Sequence, residues 1–323
     1  MQNRITRALL IALGMAASWA AHAQVAYPAK PVHIIVGAGA GGGLDIMARL
    51  IAPKLAERLN QSFVVENKAG AAAMIATEYV AKAAPDGYTL LLASPGAITV
   101  NPVVLTKINY SPTKDFVPIS MIASFPLVLV ADSSLPIHSV ADLVAYAKAN
   151  PDKANAGGSG YAAQLVLEMF KMKTGIPLQF ILYKSSGEAG AAVMSGHTFM
   201  TIIDTPPVSG AIKSGRVRGL AVTTSKRTSA FPQLPTMAEA GVPDMEVFFW
   251  SGLMAPAGTP APIVERLEAE VRRAVTLPDV RARLASLEAE PVGSSSAEFG
   301  RFVASEIARW TAVAKAGNIK IER

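Results

Sequence analysis

The sequence predicts an α/β protein with mostly parallel sheets, and three observations carry that prediction. Short β-branched or apolar runs alternate with segments of helical periodicity through most of the chain. The first run, Val32-His33-Ile34-Ile35-Val36, enters a turn made only of Gly and Ala over residues 37–43, and an apolar-periodic helix follows. A length of 323 residues is enough for two domains, each with its own core.

Ahead of that first strand stand Arg4 and Arg7, an apolar run over 8–20, and the end Ala21-His22-Ala23. This is the layout of a Sec signal peptide, with cleavage expected before Gln24. The apolar run is too short to cross a bilayer. Absence of cysteine excludes a lipid anchor, disulfides and thiolate metal sites. The expected product is a free protein of a bacterial periplasm. Its charge is mildly basic: the formal +6 falls by two when Arg4 and Arg7 leave. No lysine- or arginine-rich run is interleaved with aromatics, so nucleic-acid binding is not indicated.

After the glycine turn, residues 45–59 predict a helix that Pro53 should kink or split. Residues 62–66 read as a strand and 70–83 as an alanine-rich helix. The turn Pro85-Asp86-Gly87-Tyr88 launches a buried strand over 89–93, which ends in the small-residue loop Ser94-Pro95-Gly96. A strand over 126–130 precedes a second unit. Ser139 caps a helix carrying Val140, Leu143, Val144 and Ala147 at helical spacing, and Asn150-Pro151 ends it. Residues 155–160 read as a glycine-rich loop, followed by a helix through Phe170 and Met172. A strand over 178–183 leads to Lys184-Ser185-Ser186-Gly187, which opens another helix; 200–203 and 220–224 read as further strands.

Residues 248–254 are extended. Thr259-Pro260 reads as an N-cap with a first-turn proline, and the helix beyond should bury Ile263, Val264, Leu267 and Val271. A shorter helix carries Val280, Leu284 and Leu287. Ser295-Ser296-Ala297-Glu298 has the form of a capping box and starts the last helix. The stripe Phe299, Phe302, Val303, Ile307 and Trp310 on that helix reads as core. Two extended crossings, near 124–132 and 245–255, separate the middle of the chain from its ends. If the C-terminal helices pack back on the N-terminal sheet, the crossings form a hinge. The first domain is then 24–124 plus 248–323, and the second is 125–247.

Four loops share a small-residue composition: 37–43, 94–97, 157–161 and 185–187. Each precedes a helix, and all but the third follow a predicted strand. Ligands of open parallel sheets bind outside the carboxyl ends of the strands. The four loops should therefore face one another across a cleft, two from each lobe. They offer backbone N–H groups, serine hydroxyls and helix N-termini with almost no formal positive charge, which suits a carboxylate. A dinucleotide fold competes on spacing: Gly37-x-Gly39-x-x-Gly42 follows a strand, and Glu66 ends the next one. Export weighs against it, because nicotinamide cofactors belong to the cytoplasm. The histidines His33, His138 and His197 lack ligand spacing, Ser159 lacks a nucleophile elbow, and no Walker motif is present, so no metal, cofactor or catalytic pair is expected. Asp45 reads equally as a ligand contact or as a first-turn acid of its own helix. Tyr161 and Tyr183 read equally as ligand walls or as packing, and Lys184 reads as a solvated loop residue.

The chain resembles, over residues 27–319, the Bug-type periplasmic solute receptors of tripartite tricarboxylate transporters. The pieces that carry the resemblance occur in order: Tyr27-Pro28-Ala29-Lys30-Pro31-Val32, Gly41-Gly42-Gly43-Leu44-Asp45, Val64-Val65-Glu66-Asn67-Lys68-Ala69-Gly70, Ala84-Pro85-Asp86-Gly87-Tyr88 and Asn101-Pro102. Further on come Tyr183-Lys184, Leu220-Ala221-Val222-Thr223-Thr224, Pro235-Thr236-Met237-Ala238-Glu239-Ala240-Gly241 and Ala255-Pro256-Ala257-Gly258-Thr259-Pro260. The resemblance implies a monomeric, two-lobed binding protein of the type II, flytrap kind that is not an enzyme. It would present a small carboxylate to membrane permease subunits, holding it through backbone amides, hydroxyls and ordered water. The matching positions for ligand contact are Ala40, Gly41, Gly42, Asp45, Ser94, Gly96, Ala97, Ser159, Gly160, Tyr161, Tyr183, Ser186 and Asp204. Several positions depart from the family's pattern: the first loop is small throughout, Met74 and Asp204 stand where Asn is common, and Gln164 replaces a frequent His. The third loop is short, and Phe199 and Ile203 fall where acids are common. These departures predict a roomier, less polar pocket, and a ligand bulkier or more apolar than a C4–C6 aliphatic diacid, such as an aromatic carboxylate.

Overall fold

The computed structural model describes residues 27–41 and 43–320. The expected signal peptide with its cleavage site, and Gly42 of the glycine turn, lie outside the described residues. Along the chain the first elements are β1 (Val32–Val36), α1 (Gly43–Leu59), β2 (Phe63–Asn67), α2 (Met74–Ala81), β3 (Thr89–Ala93), α3 (Asn101–Val104) and the long β4 (Phe116–Asp132). There follow α4 (Val140–Ala149), β5 (Asn155–Ser159), α5 (Gly160–Thr174), β6 (Gln179–Tyr183), α6 (Ser186–Met194), β7 (Met200–Asp204), α7 (Pro206–Lys213) and β8 (Val217–Val222). Last come β9 (Phe248–Pro256), α8 (Ala261–Ala274), α9 (Pro278–Ser286), β10 (Glu290–Pro291) and α10 (Ser296–Ala316).

One strand belongs to two sheets. Residues 116–126 of β4 pair antiparallel with β9, and residues 127–132 pair antiparallel with β7 and β8. The first sheet has the order β2-β1-β3-β9-β4-β10, and the second has β8-β4-β7-β5-β6. Pairing is parallel for β1 with β2 and β3, and for β5 with β6 and β7. Along the shared strands it is antiparallel, so both sheets are mixed. The molecule is thus a two-lobed α/β protein whose middle segment forms the second lobe.

Each sheet is covered on both faces. In the first lobe α1, α8 and α9 pack on Val32, Ile34 and Val36, while α2 and the start of α10 pack on Ile35, Leu91 and Trp250. In the second lobe α4 and α5 cover Leu129 and Ile202, and α6 and α7 cover Val128 and Val130. A strand buried on both faces reads as a continuous apolar run, which is why β1 and β3 are so plain in sequence. The last helix spans both lobes: Phe299 and Val303 sit in a first-lobe core, whereas Trp310 and Val313 join Leu165 and Phe170 of the second.

Five local expectations change. Helix α1 runs unbroken through Pro53, whose ring lies on the exposed face, where water can hydrate the carbonyl left unpaired by the missing N–H. The segment read as a helix over 70–83 begins instead with a left-handed turn at Ala71–Ala73, with φ of 48°, 53° and 69°. The third small-residue loop is the strand β5, because Gly157 and Gly158 have no Cβ to collide with the rings of Tyr183 and Phe180 on β6. The strand expected over 126–130 extends to 116–132. Thr259 does not cap α8; its hydroxyl donates to the Pro256 carbonyl at 2.7 Å, and Pro260 occupies the N-cap. The capping box at Ser295 and Glu298 is present, with both reciprocal hydrogen bonds.

Candidate functional site

Parallel strands put all their carboxyl ends on one side, and a helix or turn starts beyond each. The starts of α1, α5, α6 and α7, the left-handed turn 71–73 and the helix that begins at Pro95 all reach one cavity of about 840 Å³ between the lobes. That volume is within the range of roughly 300–1,000 Å³ typical of ligand sites. From the first lobe the wall is Gly37, Ala38, Gly43, Leu44, Ile46 and Met47 around α1, Ala72 and Ala73, and residues 94–97 with Val100 and Asn101. Phe125 of β4, Phe249 and Trp250 of β9, and Leu287 complete it. The second lobe gives Ser159, Gly160, Tyr161 and Ala162, then Leu182, Ser186, Asp204, Pro206 and Pro207.

Local strain shapes the first-lobe wall. Three consecutive alanines with positive φ cost about 1–2 kcal/mol each relative to ordinary backbone, and such strain persists only where neighbours hold it. Asn101 Nδ2 donates to the Ala72 carbonyl at 2.8 Å, and Thr77 Oγ1 donates to the Ala73 carbonyl at 2.9 Å. Gly37 makes room for the turn: a Cβ there would lie 2.5 Å from the Ala73 Cβ. After Ser94 the helix widens into a π-turn over Gly96–Val100, an irregularity often found at functional sites. Tyr110 pins it, its hydroxyl donating to the Ala97 carbonyl at 2.5 Å, and burial pushes the Tyr110 phenol up to about 12.

Of the thirteen expected contact positions, Ser94, Gly96, Ala97, Ser159, Gly160, Tyr161, Ser186 and Asp204 come together on the cavity wall. Ala40 and Gly41 are exposed and off the wall, and Gly42 lies outside the described residues. Tyr183 lies over Gly157 and packs with the core under α6. The Asp45 carboxylate is buried and turned into its own loop. It accepts from Gly41 N–H at 2.8 Å, from Arg49 Nε at 2.9 Å and from Asn67 Nδ2 at 2.9 Å. Arg49 foremost, then the other two, hold it down to about 2. Asp45 thus fixes the glycine turn that carries Ala38 onto the wall.

The apolar character was expected from Met74, Phe199 and Ile203, but none of these lines the cavity; Phe199 packs on Tyr146 and Ile203 on the α6–α7 core. The apolar wall comes instead from Phe125, Phe249, Trp250, Leu44, Leu182 and Leu287. These residues lie far apart in sequence: the pairing of β4 with β9 sets Phe125 opposite Phe249, and Leu44, Leu182 and Leu287 reach the same cavity from other elements. Among the described lining residues Asp204 is the one carboxylate, and there is no lysine, arginine or histidine. Burial raises the Asp204 carboxyl above its ordinary value, and a hydrogen bond from Ser186 pulls the other way. Glu66, the acid of the dinucleotide reading, instead meets His33 Nδ1 at 2.5 Å across β1 and β2 and is not on the wall.

Residues 47–319 match the family described as tripartite tricarboxylate transporter family receptor. The chain is 38% identical over 301 residues to protein BugT of Bordetella pertussis, covering 92% of each. Among solved structures it is similar to R. palustris Rpa4515 with adipate, with a TM-score of 0.80 and 38% identity over 92% of this chain and all of that one. It is also similar to MatC of Rhodopseudomonas palustris with bound malate, with a TM-score of 0.75 and 31% identity over 89% of this chain and 99% of the other.

Proposed function

The chain belongs to the tripartite tricarboxylate transporter receptor family, and on that premise we propose that it captures a carboxylate with a large apolar body in the interlobe cavity. Receptors of this family are periplasmic solute-binding proteins, not enzymes, and this chain is one of them. Two similar receptors hold adipate and malate, which supports a carboxylate as the ligand class. The finer reading rests on one observation. The wall combines several helix starts with Phe125, Phe249, Trp250 and Tyr161 and has no lysine or arginine. Unpaired N–H groups and helix dipoles stabilise an anion without a charged clamp, while the aromatic wall rewards a bulky apolar body.

The lobes proposed are 24–124 with 248–323 and 125–247, hinged where the two crossings run side by side near 124–132 and 245–255. Closure on ligand then presents a loaded receptor to membrane permease subunits, after export and removal of residues 1–23. The ligand drives closure only by its differential affinity for the closed state. The test is a thermal-shift screen of the purified protein against succinate, citrate, benzoate, phthalate and NAD. A ligand at about 100 times its Kd adds about 2.7 kcal/mol of stability. Stabilisation by the aromatic acids and not by succinate or citrate supports the reading; the reverse pattern overturns the aromatic preference and keeps the carboxylate class. Stabilisation by NAD alone would overturn the receptor reading itself.

A further inference from the structure

The cavity has two chemically different poles. At the starts of α1 and α5 and at residues 96–97, glycine and alanine turn backbone N–H donors toward the wall, no described lining residue there is charged, and the nearby Asp45 carboxylate is turned into its own loop against Arg49. At the start of α7 the pattern inverts. Its first two residues are Pro206 and Pro207, which have no N–H to offer, and Asp204 ends β7 two positions before them, with the N-cap Thr205 between. Ser186, at the start of α6, lines the wall with Asp204. The second pole therefore accepts hydrogen bonds and carries a charge, whereas the first donates them. An ionised carboxylate has about four lone-pair sites, and among the described lining residues no lysine, arginine or histidine is there to fill them. Aromatic rings on the same wall, from Phe125, Phe249, Trp250 and Tyr161, add faces that attract a cation.

From this polarity we propose that Asp204 selects the ligand: it pairs with a protonated amine, so the favoured solute is an amino-carboxylate with the two groups at opposite ends of an apolar body. The inference deepens the carboxylate reading and rests on it. A second carboxylate on the ligand would face Asp204 across a largely apolar wall, with no lysine or arginine among the described lining residues to offset it. A monocarboxylate would bind the donor pole and leave Asp204 desolvated and unrewarded. An ammonium group meets both demands, as a charge-assisted donor with three N–H bonds.

The experiment compares matched ligands by isothermal titration calorimetry at pH 7: hexanoate, adipate and 6-aminohexanoate, then 4-methylbenzoate, terephthalate and 4-(aminomethyl)benzoate. The wild-type protein is expected to bind the amino-carboxylate of each trio about 10- to 100-fold tighter than the diacid, the span of a hydrogen bond to a charged group. Asp204→Asn should lose most of that preference, the advantage of the amino-carboxylate over the diacid falling toward parity in each trio. Wild-type binding of diacids as tight as or tighter than amino-carboxylates overturns the proposal, and this readout needs no variant. Retention of the amine preference in Asp204→Asn overturns it too. In either case a response to some carboxylate leaves the receptor reading standing, whereas silence toward all six acids overturns both.

Discussion

Asp45 and Asp204 are the same side chain in opposite settings. Asp45 is held to about 2 by Arg49, Gly41 N–H and Asn67. Because its folded pKa is depressed, the stability it contributes is present above the unfolded value near 3.8 and is lost as pH falls toward 2. Asp45→Asn should lower Tm at pH 7 and flatten the fall in Tm between pH 4 and pH 2. Asp204 has the reverse sign: its raised pKa favours the folded state while protonated, and that contribution is lost as pH rises through the raised value. Asp204→Asn should therefore raise Tm of the ligand-free protein at pH 7 and remove part of the slope just above pH 4. Melting curves of the three proteins across pH 2–7 check both signs. Sequence left both settings open, because Gly41 and Asn67 join Arg49 on Asp45 only in the fold, and the burial that raises Asp204 exists only once the cavity is formed.

At the level of elements, legibility followed local chemistry. The caps at Ser139 and Ser295 and the strand β3 stood out in sequence because each is written in consecutive residues: an N-cap with its partner three positions on, or an unbroken apolar run bounded by a turn. The long β4 did not. Its register shifts between Pro118 and Ser120 and between Met121 and Ala123, so the two-residue period is interrupted where the first half should show. The alanines at 71–73 have high helix propensity and were read as helix, yet Asn101 and Thr77 hold them left-handed. Gly37 is the partner of that turn. Gly37→Ala should cost about 1–3 kcal/mol through overpacking against Ala73, read as a lower urea midpoint with unchanged slope. The wall loops were legible because small residues before helices are visible in sequence, but Phe125, Phe249 and Leu287 were not, since the first two meet only where β4 pairs with β9 and Leu287 arrives from the end of α9.

For the whole molecule, the lobes also touch away from the shared strands. The Ser209 hydroxyl on α7 donates to Glu288, which follows α9 in the first lobe and holds a left-handed backbone at φ 56°. The contact links the α7 start, on one side of the cavity, to the segment carrying Leu287 on the other. Ser209→Ala should remove roughly 0.5–3 kcal/mol from this arrangement of the lobes, the range for hydrogen bonds to neutral and charged partners. If this arrangement is the ligand-binding one, apparent affinity falls in proportion to its population, by up to about 100-fold, and small-angle scattering of the free protein shows a more open form. Unchanged affinity and scattering would assign the contact no part in closure.

The shared strand also sets an order of events. β4 lies between β9 and β10 in the first sheet, and β9 arrives only after the whole second lobe has been made. Until Pro256 has emerged, β3 and the front half of β4 each present an unpaired edge, and α10, which covers Trp250, comes later still. Closing so long a loop is entropically slow, and proteins dominated by distant pairings fold late. In a chain laid out this way the first sheet stays incomplete until most of the residues are available. Under the export proposed above, delay is an advantage: the sheet that would jam a translocation channel cannot be completed until nearly all of the chain is available to pass through it.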